Sequence, residues 1–149
     1  MAYFVPINNK EMVRHKTTAV HKGKMAFDAK INNHAVVVDT VEAGGGDNTG
    51  PNAKPLMLVA LAGCVGMEMV PILNKMRMEF SDFSVEADAE LTDEHPRVYA
   101  SIKLIVTIKI DESNRARFEN ALHLSLDKYC GVYAMMSKVA PITKEIVYL

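Results

Sequence analysis

Asn52-Ala53-Lys54-Pro55-Leu56-Met57-Leu58-Val59-Ala60-Leu61-Ala62-Gly63-Cys64-Val65-Gly66-Met67-Glu68-Met69-Val70-Pro71-Ile72-Leu73-Asn74-Lys75-Met76-Arg77 is the stretch that decides the fold. It reads as one long helix from about Ala53 to Arg77. Asn52 is a candidate N-cap, and Pro55 is tolerated in a first turn whose N–H groups have no intrahelical acceptor. Pro71 has no N–H for the carbonyl of Met67, so a kink is expected there. The helix is apolar nearly all round. Such a helix must be covered on more than one side, which a chain of this size does with difficulty. A second copy packed against it is the simplest cover, so an intertwined homodimer is expected. The run from Leu56 to Met67 is about a dozen residues, short of a bilayer span, so no membrane partner is expected.

Strands flank this helix in sequence. Thr17–His21 and Met25–Ala29 surround Lys22-Gly23-Lys24 and read as a hairpin. Ala35–Thr40 is a β-branched apolar run and reads as a third, well-buried strand. Gly44-Gly45-Gly46-Asp47-Asn48-Thr49-Gly50-Pro51-Asn52 is a loop. Beyond the helix, Phe83, Val85, Ala87, Ala89 and Leu91 alternate with Ser84, Glu86, Asp88 and Glu90. Val98 to Ile110 repeats that period of two, and Thr92-Asp93-Glu94-His95-Pro96 is the turn between. Phe118, Ala121, Leu122, Ser125 and Tyr129 then share one helical face. Cys130-Gly131 breaks that helix, a short helix from about Val132 to Val139 follows, and Ile142–Leu149 closes as a strand. Each half thus runs strands first and then a helix bearing a cysteine, though no residue-level repeat is present.

The 149 residues fit one domain, 1–149, large enough to bury a core without a disulfide staple. Hydrophobic residues make up 49% and charged residues 23%, an ordinary globular balance. A formal net charge of −1 argues against a nucleic-acid partner. Met1-Ala2-Tyr3-Phe4-Val5-Pro6 lacks a basic segment leading into an apolar one, so no signal peptide and a cytoplasmic location are expected. Thiols are kept reduced there, which favours a transient disulfide over a permanent one.

The chemistry rests on two cysteines, Cys64 and Cys130, both flanked by small residues. A thiolate attacks oxidants and electrophiles without a cofactor. Cys64 taken alone also reads as a core cysteine packing as a small hydrophobe. Glu68 lies one helical turn after it on the same face, where a carboxylate needs a partner or a polar cavity. It also reads as a residue emerging where the helix kinks. Cys130 stands where a new helix starts, and helix N–H groups together with Lys128 would make it the more acidic thiol. The glycine triplet lacks the spacing of a phosphate-binding loop. The five histidines show no metal-ligand spacing, and no serine-hydrolase elbow is present. Neither metal nor cofactor is expected.

Gly50-Pro51, Leu58-Val59-Ala60-Leu61-Ala62-Gly63-Cys64 and Glu68-Met69-Val70-Pro71-Ile72-Leu73-Asn74-Lys75-Met76-Arg77 together resemble the first cysteine motif of the OsmC/Ohr family. Its members are osmotically inducible and organic-hydroperoxide-resistance proteins. His95-Pro96-Arg97-Val98-Tyr99 resembles the family's entry to its long strand, Leu124-Ser125-Leu126-Asp127-Lys128-Tyr129-Cys130-Gly131-Val132 its second cysteine motif, and Ala140-Pro141-Ile142 the entry to its last strand. The resemblance covers roughly residues 17–149 and points to the OsmC-like branch, which has an acidic residue one turn after the first cysteine, as Glu68 is here.

The resemblance implies an α+β fold with two antiparallel sheets wrapped around central helices in an intertwined homodimer. It implies an antioxidant, stress-response oxidoreductase: a thiol-dependent peroxidase for organic hydroperoxides. Cys64 would be peroxidatic, passing through a sulfenic acid, and Cys130 would resolve it to a disulfide that an external dithiol reduces. The family's best-characterised peroxidases also carry a glutamate nine or ten residues before the first cysteine and an arginine in the N-terminal hairpin. Here those places hold Pro55 and Lys54, and His21-Lys22-Gly23-Lys24. Lysine supplies charge without the planar two-point geometry of arginine, so slow turnover is implied. The alternative is a non-catalytic module of the same fold that binds an apolar ligand or senses oxidation.

Overall fold

The structure, a computed structural model, describes residues 13–149. The signal-peptide reading of Met1–Pro6 lies outside the described residues. The chain divides into two compact units that meet in sequence between Asn52 and Ala53. The long helix therefore belongs with the second set of strands, not the first.

The first unit is a three-stranded antiparallel sheet in the order β1 (Thr17–Gly23), β2 (Ala26–Ile31) and β3 (His34–Val38). Lys24, with φ of 44°, takes the left-handed conformation at the first turn, and Asn32, with φ of 53°, takes it at the second. Asparagine enters that region easily because its short amide bonds back to local backbone. The expectation that the third strand is well buried does not hold. No apolar side chain of this sheet is buried, and Val20, Phe27, Ile31 and Val37 are exposed. Three short strands have too little apolar surface on one face to make a core by themselves.

A carboxylate organises the loop that follows β3. Asp39 is buried and accepts from the N–H groups of Thr40 (2.8 Å), Asp47 (3.2 Å) and Thr49 (3.0 Å) and from the Thr49 hydroxyl (2.7 Å). These bonds tie the glycine-rich loop back onto the end of β3. Four donors favour the ionised form, so the carboxyl is held down at about 2, with Thr49 as the largest cause. Gly46 and Gly50 lie so tightly against the backbone of Thr40 and Val37 that neither has room for a Cβ.

The second unit holds the core. Helix α1 (Ala53–Lys75) buries Leu61, Val65, Met69 and Leu73, one residue per turn. Strands β4 (Ser81–Leu91) and β5 (Tyr99–Lys109) pair antiparallel. β5, the central strand, turns Ile102, Leu104, Val106 and Ile108 inward, all at 2% exposure or less. Each such side chain contributes about 1.5–3 kcal/mol over an exposed one. After β5 come α2 (Arg115–Leu124), a π-helical segment (Ser125–Tyr129) and α3 (Gly131–Met136). The chain then returns as β6 (Ile142–Tyr148), which pairs with β5 in parallel. The second sheet is thus mixed, not antiparallel throughout. The helical crossover between β5 and β6 supplies the length a parallel return requires.

Helix α1 does not end its apolar run at Glu68. It continues through Pro71 to Lys75, and Arg77, with φ of 52°, stops it. By length and composition alone it is long and apolar enough to cross a membrane. Its inner face, however, packs on β4, an edge strand of a sheet whose other edge is β6. The opposite flank is apolar and open: Val59 is 65% and Met67 78% exposed.

Candidate functional site

The second unit brings the two cysteines together. Cys64, half-buried on α1, and Cys130, between the π segment and α3, place their sulfurs 2.8 Å apart. They are unlinked thiols, the Cys130 sulfhydryl donating to the Cys64 sulfur. A disulfide of ~2.05 Å needs less than an ångström of closure from this arrangement.

Cys130 is held at three points. Its N–H donates to the Ser125 carbonyl (2.9 Å), closing the π turn, and its own carbonyl accepts from Ala134 N–H (3.0 Å). Its sulfur accepts from Tyr133 N–H (3.4 Å) and so caps α3. The π segment is the device that aims it. An unbroken α-helix would put Tyr129 on the buried face with Phe118, Leu122 and Ser125. The wider π turn shifts the phase, and Leu126 and Cys130 are buried instead while Tyr129 is exposed. Single π turns inside helices recur at functional sites. Nothing in the residue pattern marks this one.

The expectation that Cys130 is the more acidic thiol is overturned in its premise. Cys130 is 1% exposed, and burial pushes its thiol up to about 11, the contact with Cys64 adding to the rise. The Tyr133 and Val132 N–H groups pull the other way, as a helix start should, but they do not offset the desolvation of a thiolate. Lys128 is drawn off to the ring of Tyr129, 5.6 Å from its centroid.

Glu68 is half-buried on α1, one turn beyond Cys64, and makes no hydrogen bond or ion pair among the described residues. The two hairpin lysines are committed within the first unit: Lys22 pairs with Asp28 (3.5 Å), and Lys24 with Asp47. Each charge is already matched by a local carboxylate. No group of three or more potential metal ligands occurs among the described residues. Sequence reasoning missed Ser125 and Tyr133, whose backbone groups seat Cys130. It also missed Asp39, whose signal was available: an aspartate closing a strand before a glycine-rich loop commonly binds the N–H groups that follow.

An open apolar groove of about 790 Å³ runs along the outer flank of α1. It is lined by Val59, Gly63, Gly66, Met67 and Val70 and walled by Phe83 and Val85 of β4.

Fold and site define a class: an α+β protein with a close pair of free thiols, one half-buried and one fully buried, where a long helix meets a broken one. The chain belongs to the family of OsmC-like proteins, whose family model matches residues 45–145. Protein YhfA of Escherichia coli strain K12 is 30% identical over 110 residues, 74% of this chain and 79% of that protein. Among solved structures, a hypothetical protein from Aquifex aeolicus VF5 superposes with a TM-score of 0.75 at 24% identity, covering 93% of this chain and 99% of its own. An OsmC-like protein from Mycoplasma pneumoniae gives 0.79 at 12% identity, covering 92% and 98%. An organic hydroperoxide resistance protein from Elizabethkingia anophelis gives 0.71 at 12% identity, covering 94% and 99%. The last three likenesses are of fold. The expected OsmC-like α+β architecture with two three-stranded sheets is borne out.

Proposed function

We propose that this OsmC-like chain reduces organic hydroperoxides through a two-cysteine cycle. The observation that carries the reading is the 2.8 Å approach of the Cys64 and Cys130 sulfurs. The Cys64 thiolate attacks the outer peroxide oxygen, the O–O bond breaks, and the alcohol leaves after taking a proton. Cys64 is left as a sulfenic acid. The Cys130 sulfur then attacks the Cys64 sulfur, water departs, and a disulfide joins them. An external dithiol supplies two electrons and two protons to restore both thiols.

Exposure supports the assignment of roles. Cys64 is half-buried and within reach of a small molecule, whereas Cys130 is shut in and needs only to reach Cys64. Glu68, half-buried and unpaired among the described residues, is the carboxylate available to bias the charge on Cys64. Turnover is slow in this reading. The hairpin and the start of α1 lack the arginine and glutamate of the efficient peroxidases, and one preorganised charge contact is worth roughly a hundredfold or more in rate.

The working form in this reading is a homodimer in a reducing compartment such as the cytoplasm, without a membrane or nucleic-acid partner. The open flank of α1 and the coreless sheet of the first unit both support a second copy as cover. The apolar groove favours a second reading, a non-catalytic module that binds an apolar ligand. Mass spectrometry after one equivalent of cumene hydroperoxide separates the two. Stoichiometric Cys64–Cys130 disulfide, formed as the peroxide disappears, supports the peroxidase. Peroxide persisting beside intact thiols supports the binding module.

A further inference from the structure

We infer that the Cys64–Cys130 disulfide is opened only at Cys64, so that the reductant and the peroxide act on the same sulfur and Cys130 never touches an outside molecule. The inference rests on the two-cysteine cycle proposed above. Thiol–disulfide exchange is an in-line displacement: the attacking thiolate must approach along the S–S axis, behind the sulfur it attacks. For Cys130 that approach is closed. The residue is 1% exposed, and its sulfur faces the Tyr133 N–H at 3.4 Å. Its N–H and carbonyl are both bonded, to Ser125 and Ala134, so it cannot swing outward without breaking the π turn and the start of α3. Cys64, half-buried on the side of a regular helix, is the more exposed of the two cysteines and so the one an outside thiolate can reach.

The electrons balance at each step. One thiolate of the reductant attacks the Cys64 sulfur, forming a mixed disulfide and expelling Cys130 as a thiolate, which takes up a proton. The reductant's second thiolate attacks its own half of that mixed disulfide, closes an internal disulfide in the reductant, and expels the Cys64 thiolate. Leaving-group acidity runs against this choice. A thiol pushed up to about 11 leaves slowly. Access overrides it, because displacement at a sulfur with no line of approach does not occur at any acidity. The cost falls on the rate of reduction, and Cys64 bears every intermolecular bond of the cycle.

The test forms the disulfide with diamide, so it stands whether or not the protein consumes peroxide. Oxidised protein is mixed with limiting 2-mercaptoethanol, quenched with acid within seconds, alkylated with N-ethylmaleimide, digested and analysed by mass spectrometry. Mercaptoethanol on Cys64 with maleimide on Cys130 is expected. Mercaptoethanol on Cys130, or equally on both, overturns the inference. A second measurement compares Ellman's reagent on native Cys130→Ser and Cys64→Ser proteins. Cys64 should react about a hundredfold faster than Cys130, with the two equal in denaturant. Equal native rates, or faster reaction at Cys130, also overturn it. A protein that diamide fails to cross-link sinks the two-cysteine cycle itself, a distinct outcome, and the Ellman comparison still decides which sulfur is open.

Discussion

In the proposed cycle the two sulfurs have different tasks, and their substitutions should differ accordingly. Cys64→Ser should abolish peroxide consumption. Cys130→Ser should allow a single turnover and leave a Cys64 sulfenic acid that dimedone traps, read as one adduct per chain. The reverse pattern would exchange the roles. Burial of Cys130 also has a thermodynamic signature. Its thiol stands at about 11 in the folded chain against 9.0 unfolded, so the folded state holds this proton more tightly. The stability it contributes is complete below pH 9.0 and is lost as pH rises through about 11. Urea midpoints of the reduced protein should therefore fall over that window, and Cys130→Ala should flatten the fall. A midpoint independent of pH there would mean that Cys130 is not desolvated.

Among the elements, the glycine-rich loop depends on Asp39. Its carboxyl is held at about 2 against 3.8 unfolded, so its contribution is present above pH 3.8 and is lost as pH falls through about 2. Asp39→Asn should lose that acid sensitivity and loosen the loop, seen as faster amide exchange at Asp47 and Thr49. Gly46→Ala should destabilise by about 1–3 kcal/mol, because its methyl meets the Thr40 backbone, which cannot step aside. Gly63→Ala, with nothing within 4 Å of the added methyl, is the contrasting control within one chain.

The elements were legible in the sequence to different degrees. The long helix and the β4–β5 pair could be read because apolar periodicity is a property of neighbours along the chain. The same is true of the cysteine motifs. The π turn could not be read. Whether a helix widens by one residue is decided by what lies across from it, and the pattern from Phe118 to Tyr129 suits an ordinary helix. The raised Cys130 thiol was hidden for a related reason: the helix-start effect is local and visible, whereas desolvation comes from residues distant in sequence. The run from Ala35 to Thr40 misled in the opposite direction. Its β-branched residues do form a strand, but composition does not say whether this chain alone covers it.

For the whole molecule, the open flank of α1 and the exposed sheet of the first unit are the features a single copy leaves unresolved. If a second copy covers them, Val59→Lys on the open flank should shift the sedimenting species from dimer to monomer at micromolar concentration. The secondary structure of the second unit should persist, because Val59 lies opposite the buried face of α1. A wild-type chain that sediments as a folded monomer would remove the homodimer from the proposal.

Two free sulfurs 2.8 Å apart also make a chelate. Trivalent aryl arsenic oxides condense with paired thiols, forming two As–S bonds and releasing one water, and they hold single thiols only weakly. Reduced protein should take up one equivalent of phenylarsine oxide and lose both titratable thiols at once. Either serine variant should release the arsenical on dilution. The closeness that suits the pair to a rapid internal disulfide thus exposes it to poisoning by soft, two-valent electrophiles.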